Sequence, residues 1–204
     1  MKLRSIELAM PDPASAAEFL VDIWGLASGG QRGGTFYLRG SGPAPYLVAM
    51  APGDSEFVRS TTFVGSDAEL AHLRASVAAA GWPARAVQSD DPGGGSGIVT
   101  ELPDGTILRF LAGTNEVAPI EGFARATRRV RPVALTHVVF NAADAEAMAD
   151  AAEIVLGFRV SDRTRGMVFV RCNDSHHSTA FARAGFTSLN HIAFEMEDLD
   201  AVMR

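Results

Sequence analysis

Leu135-Thr136-His137-Val138-Val139-Phe140 alternates like a strand just ahead of a helical stretch, and Leu189-Asn190-His191-Ile192-Ala193-Phe194 does the same further on. In a strand, residues two apart share a face, so His137 goes with Val139 and His191 with Ala193. Working outward, the same opening recurs at residues 3–9 and 57–64, which makes four repeated units. The first unit continues as a helix over 14–24, with Ala17, Leu20, Val21 and Trp24 in one stripe and Gly25 as a left-handed cap. Strands at 35–39 and 46–51 follow. The second unit, opening at 57–64, enters its helix through the capping box Ser66-Asp67-Ala68-Glu69, buries Leu70, Leu73 and Val77, and ends at Gly81. Strands at 84–88, 97–101 and 106–111 complete it. The third unit, opening at 133–141, has a helix bearing Met148, Ala152 and Val155 and closes at Leu156-Gly157-Phe158; the fourth, opening at 189–195, enters a helix near Asp198.

This order predicts an α+β fold of tandem βαβββ modules paired into cupped mixed sheets. One complete domain is expected over 1–112, a linker over 113–132, and a second domain, incomplete at its C-terminus, over 133–204. Beside the second unit, the fourth lacks most of a helix and three strands, so the sequence reads as a fragment or as a chain completed by a partner. Setting Gly25 against Gly157 aligns Glu7 with His137 across a two-residue difference, and Thr62 falls opposite His191. Neither is a histidine, and Arg109 in the last strand of the second unit is a poor ligand, so the first domain reads as metal-free. The glycine runs 29–34 and 93–97 lack a phosphate-loop lysine and read as hairpin turns. Arg125, Arg128, Arg129 and Arg131 read as a solvated connector.

The 204 residues are 47% hydrophobic and 21% charged, the balance of a packed protein. A net charge of -6 argues against a nucleic-acid partner, and no apolar run is long enough to span a membrane. The single cysteine, Cys172, excludes a disulfide framework and a Cys-rich metal site, so a soluble, cytoplasmic protein is expected. Two strand histidines in paired units can meet in one cup. With one carboxylate they form the facial set that leaves open positions on a non-haem iron. Repeat arithmetic puts that carboxylate roughly 45 to 60 residues after His191, beyond residue 204; Glu195 lies too far along the same strand to serve, and Asp198 is set aside with it.

Three segments together carry a resemblance: 156–162, Arg171-Cys172-Asn173-Asp174-Ser175-His176-His177-Ser178, and 189–195. The chain resembles the two-domain extradiol ring-cleaving dioxygenases of the vicinal-oxygen-chelate superfamily, which also holds glyoxalase I and bleomycin-resistance proteins. The similarity is strongest to enzymes acting on 2,3-dihydroxybiphenyl and 2,3-dihydroxy-p-cumate, over 135–204. The resemblance implies that His137 and His191 ligate iron, with a third ligand, a glutamate, past residue 204. It implies that His177 is the acid/base, that His176 orients it, and that Val139 and Phe169 line the pocket for the ring. It further implies Fe2+ as cofactor, with Mn2+ the alternative, a catechol and O2 as small-molecule partners, and a homo-oligomer. The implied function is Fe(II)-dependent extradiol cleavage of a substituted catechol in aromatic-compound degradation. A non-catalytic binding or resistance-type protein, and a glyoxalase-like metalloenzyme on the same fold, stay open beside it.

Overall fold

Alternation and capping set the elements of the computed structural model, which describes residues 1–204. Strand β1 (Lys2–Met10) leads into α1 (Pro13–Asp22), β2 (Ala27–Arg32), β3 (Thr35–Arg39) and β4 (Val48–Pro52). Strand β5 (Phe57–Val64) leads into α2 (Asp67–Ala79), β6 (Ala84–Gln88), β7 (Ser96–Glu101) and β8 (Ile107–Ala112). A short ribbon, β9 (Phe123–Ala124) and β10 (Arg129–Val130), precedes β11 (Ala134–Ala142), α3 (Ala145–Ile154), β12 (Arg159–Arg163), β13 (Met167–Arg171), β14 (Thr179–Arg183), β15 (Ser188–Glu195) and α4 (Leu199–Val202).

The first two modules join into one sheet ordered β2-β3-β4-β1-β5-β8-β7-β6, and the later strands form a second ordered β12-β13-β14-β11-β15. Both sheets are mixed. β1 runs parallel to β4 and antiparallel to β5, and β11 runs parallel to β14 and antiparallel to β15. The fold is therefore α+β with cupped mixed sheets. Helix α2 starts at the capping box, in which Ser66 Oγ accepts from Glu69 N at 3.2 Å while Glu69 Oε2 accepts from Ser66 N at 2.8 Å. One cluster of 32 buried residues runs through both halves, with the Phe63 ring stacked on Phe110 at 5.4 Å and tilted against Phe158 at 5.2 Å. The halves thus share a core.

The repeat is tighter than the sequence suggests. Asp12 and Asp144 both cap their helices, Leu26 N and Phe158 N each reach back to a helical carbonyl, and Gly25 and Gly157 both sit at φ +71°. Strand register extends the match: β1 pairs Ser5 with Thr62 and Glu7 with Ser60, while β11 pairs His137 with Ala193 and Val139 with His191. The alignment of Glu7 with His137 and Thr62 with His191 is therefore corrected, because no residues are inserted between β1 and Gly25 relative to β11 and Gly157. Ser5 answers to His137, Ser60 to His191, and Glu7 to Val139. Each strand pair carries two bulges, and these break the simple alternation from which the sequence alignment was made.

Two further readings change. Residues 29–32 belong to β2, so the turn is only Gly33-Gly34. A Cβ at Gly29 would lie 2.9 Å from Pro45 O and 3.2 Å from Tyr37 O, so neighbouring backbone crowds that position, while Gly30 serves the strand through its φ of +109°. Likewise Ser96 and Gly97 begin β7. In the connecting segment Arg125, Arg128 and Arg129 are exposed, as a solvated connector requires. Arg131 instead donates to Gly25 O at 2.9 Å, and Ser41 N donates to Pro132 O at 2.8 Å.

Candidate metal and acid-base site

The concave face of the second sheet gathers the expected residues. His137 and His191 sit diagonally across the β11–β15 pair, a spacing that long side chains bridge. Their Nε2 atoms stand 3.3 Å apart. Two nitrogens bound to one ion at about 2.1 Å each would be separated by a similar distance, so the donor pair fits a metal. His177, in the segment entering β14, lays its ring against His137 with centroids 4.1 Å apart and planes 38° apart. It presents a face to His137 and adds no third converging lone pair. No group of three or more His, Cys, Asp or Glu side chains is placed to hold a metal ion, so the chain offers a two-nitrogen donor set.

Partial burial lowers the His137 pKa to about 4, helped by the proximity of His177 and His191. His177 is lowered by the same desolvation and by His176 and His191. At neutral pH both rings are uncharged, the form able to ligate or to accept a proton. The two neighbouring histidines meet through their Nδ1 atoms at 2.9 Å, so His176 constrains His177. Phe169 on β13 meets the His177 ring edge to face at 5.0 Å and lies 5.5 Å from His176. Beneath, Val139, Ala180 and Ala182 form a small buried cluster against which Met167 and Phe169 pack. Val139 and Phe169 thus form an apolar floor beside the imidazoles.

Other residues take structural places. Cys172 is half-buried with Sγ 3.2 Å from Ser178 Oγ, and burial pushes its thiol up. Glu195 is exposed and Asp198 caps α4. A cleft of about 480 Å³ lies between the halves, lined by Leu8, Met10, Phe57, Phe140 and Leu189 among others and by none of the histidines.

The first cup holds a different cluster, which the sequence reading did not anticipate beyond Arg109. Arg109 Nη1 pairs with Asp91 at 2.7 Å and approaches Glu7 at 3.7 Å, and Glu7 pairs with Arg59 at 3.0 Å. Asp91 also accepts from the hydroxyls of Tyr37 at 3.0 Å and Tyr46 at 2.9 Å, while Arg4 donates to Tyr46 at 2.8 Å. Burial pushes Asp91 up, but Arg109 and the two tyrosine hydroxyls outweigh it and hold the carboxyl below its ordinary value. Burial raises Tyr46 to about 12. Charged and aromatic side chains therefore gather in the first cup, where the positions equivalent to His137 and His191 hold Ser5 and Ser60. The signal was the placement of Arg109 and Glu7 on one concave face.

No protein-family model matches the chain, and no curated protein matches it. Solved structures do. A Mn(II)-bound glyoxalase from Novosphingobium aromaticivorans is similar at TM-score 0.88 and 28% identity, over 99% of this chain and 67% of that one. The 2,3-dioxygenase LapB from Pseudomonas sp. KL28 is similar at 0.85 and 17% identity, over 99% and 77%. Homoprotocatechuate 2,3-dioxygenase from Brevibacterium fuscum, in complex with 3,4-dihydroxyphenylacetate, is similar at 0.86 and 20% identity, over 100% and 66%. Other chains of that enzyme are spanned over only 59% of their length. No helix is long and apolar enough to cross a membrane.

Proposed function

From the glyoxalase and extradiol dioxygenase fold that this chain adopts, we propose that it forms the metal-binding part of an Fe(II)-dependent extradiol dioxygenase, which opens a substituted catechol with O2. The observation that carries the proposal is one cluster: two Nε2 atoms 3.3 Å apart with the uncharged ring of His177 tilted against that of His137. In this reading His137 and His191 hold the iron, and a carboxylate from a strand beside β15 completes the set. When bound, the ion supplies a Lewis acid that makes a chelating catechol easier to deprotonate, with a coordination position left for O2.

The remaining steps belong to side chains of this protein. Val139 and Phe169 give the ring an apolar bed, which orients it and keeps water from its face. His177 accepts the proton of the hydroxyl nearest it and returns that proton as the ring opens, a double duty suited to an imidazole that is neutral at pH 7. His176 constrains its neighbour through their Nδ1 contact. The reading places the protein in a reducing compartment, with a substituted catechol and O2 as its small-molecule partners.

A second reading, a glyoxalase-type metalloenzyme, is favoured by the 28% identity to the Mn(II)-bound glyoxalase. The test is anaerobic Fe(II) loading of this chain and of a form extended to the length of the solved structures it resembles, followed by O2 and a catechol panel. Ring-fission colour with matching O2 uptake is expected, reduced at least 100-fold in His177→Phe with iron still bound. Metal-dependent turnover of other substrates without O2 uptake would transfer the assignment to the second reading. Absence of metal binding and of turnover from either form would leave a binding protein.

A further inference from the structure

Both β-bulges of the β11–β15 pair place a polar residue directly before a histidine. In β11 the register steps from Leu135 to His137 and leaves Thr136 unpaired; in β15 it steps from His191 to Leu189 and leaves Asn190 unpaired. A bulge re-aims its extra side chain, which in a regular strand would point away from the neighbouring residue's face. Here both side chains turn to the histidine they precede.

The hydrogen bonds then fix which ring nitrogen carries the proton. Thr136 Oγ1 donates its one hydrogen to Ala193 O at 3.0 Å, so towards His137 Nδ1, 3.2 Å away, it can only accept. His137 therefore carries hydrogen on Nδ1 and a bare lone pair on Nε2. Asn190 Nδ2 donates to Asn141 Oδ1 at 2.8 Å, and Asn141 Nδ2 donates to Ser188 Oγ at 2.9 Å. This chain orients Asn190 so that its carbonyl Oδ1 faces His191 Nδ1 at 2.8 Å. His191 thus also carries hydrogen on Nδ1. Both Nε2 lone pairs face one another at 3.3 Å with no hydrogen between them, an arrangement that costs energy unless a cation shares them. Free histidine prefers the opposite tautomer, with hydrogen on Nε2, which would block coordination.

We propose that Thr136 and Asn190 are positioning residues that lock His137 and His191 as Nδ1–H tautomers and so prepare a divalent-cation donor pair. Asn141 and Ser188 orient Asn190. The proposal deepens, and rests on, the reading of the two histidines as metal ligands. Partners of this kind set ligand tautomer, and losing one typically weakens metal binding 10- to 100-fold.

The test combines a tautomer readout with an affinity. Long-range 15N–1H NMR of the 204-residue chain at a pH where its histidines are neutral should show Nδ1–H at His137 and His191. Thr136→Val should shift His137, and Asn190→Leu should shift His191, towards Nε2–H, each weakening Mn(II) binding by about 10- to 100-fold in calorimetry. Thr136→Ser, which keeps the acceptor, should retain tautomer and affinity, separating positioning from packing damage. Wild-type rings found as Nε2–H, or tautomers indifferent to both apolar variants, would overturn the proposal. Tautomers that respond as stated in a chain that binds no Mn(II) would overturn the ligand reading alone.

Discussion

Removing Arg109 tests whether the first cup is held together by its buried charges. Arg109 and Asp91 have side chains only 10% and 11% exposed, and their contact is 2.7 Å. Arg109→Leu keeps the volume of the stem but strands the Asp91 carboxylate. Losing one member of a buried pair costs about 3–5 kcal/mol, because the remaining ion keeps its desolvation penalty. Tyr37, Tyr46 and Ser89 still donate hydroxyls to Asp91, and Arg4 lies across the Tyr46 ring at 4.7 Å. The lower end therefore applies, about 3 kcal/mol, equivalent to a melting shift of about 6–12 °C for a chain of this size. Asp91→Asn in the Arg109→Leu background removes the stranded charge and should recover at least about 1 kcal/mol. Urea denaturation of wild type, both single variants and the double variant at pH 7 gives the coupling directly. Acidification offers a second sign. With Arg109 gone, burial no longer has its main opponent at Asp91, so the stability lost in Arg109→Leu relative to wild type should shrink as pH falls from 7 towards 5. A loss below about 1 kcal/mol, or losses that simply add in the double variant, would show that the pair is not the coupled unit described.

The lowered His137 pKa makes a metal-free sample sensitive to acid. The folded state keeps the ring neutral while the unfolded chain protonates it from about pH 6.5 downward, so stability is present above 6.5 and lost as pH falls towards 4. The ring is partly exposed, so the loss is on the order of 1 kcal/mol, and His137→Gln should flatten the urea midpoint across that window. Gly25 and Gly157 provide a matched pair, both at φ +71°. A Cβ at Gly157 meets nothing within 4 Å, whereas one at Gly25 would lie 2.5 Å from Val130 O. Gly157→Ala should cost about 1–2 kcal/mol of left-handed strain, and Gly25→Ala distinctly more; equal losses in thermal melts would refute the close contact. Ser66→Ala, which removes half of the capping box, should cost about 1 kcal/mol by the same measurement.

Strands bounded by glycine, proline and helix-cap signals were legible residue by residue: 35–39, 57–64 and 84–88 match the observed elements. Helix α2 was legible from Ser66 and Glu69 because a cap is local chemistry. Strand β2 was not, since Ala27–Arg32 carries no apolar alternation and is extended through its pairing with β3. The four histidines could be brought together on paper because equivalent strands hold two of them. Their pairing with the first half was misjudged by two residues. Bulges are invisible to alternation, and Thr136, Asn190, Arg4 and Arg59 each add a residue that the ladder skips. The Asp91 cluster was hidden for another reason: a loop residue meets Arg109 of β8, Tyr37 of β3 and Tyr46 just before β4 only once the sheet has assembled.

The matching bulges carry an engineering consequence. Arg4 precedes buried Ser5 and Arg59 precedes buried Ser60 at the backbone positions where Thr136 precedes His137 and Asn190 precedes His191. The backbone that aims donors in the second cup is therefore already built in the first, where it aims guanidinium groups. A metal-binding first cup becomes a problem of exchanging a handful of side chains and unseating Asp91, with no loop to redesign. The untouched second cup would serve as the reference inside the same molecule.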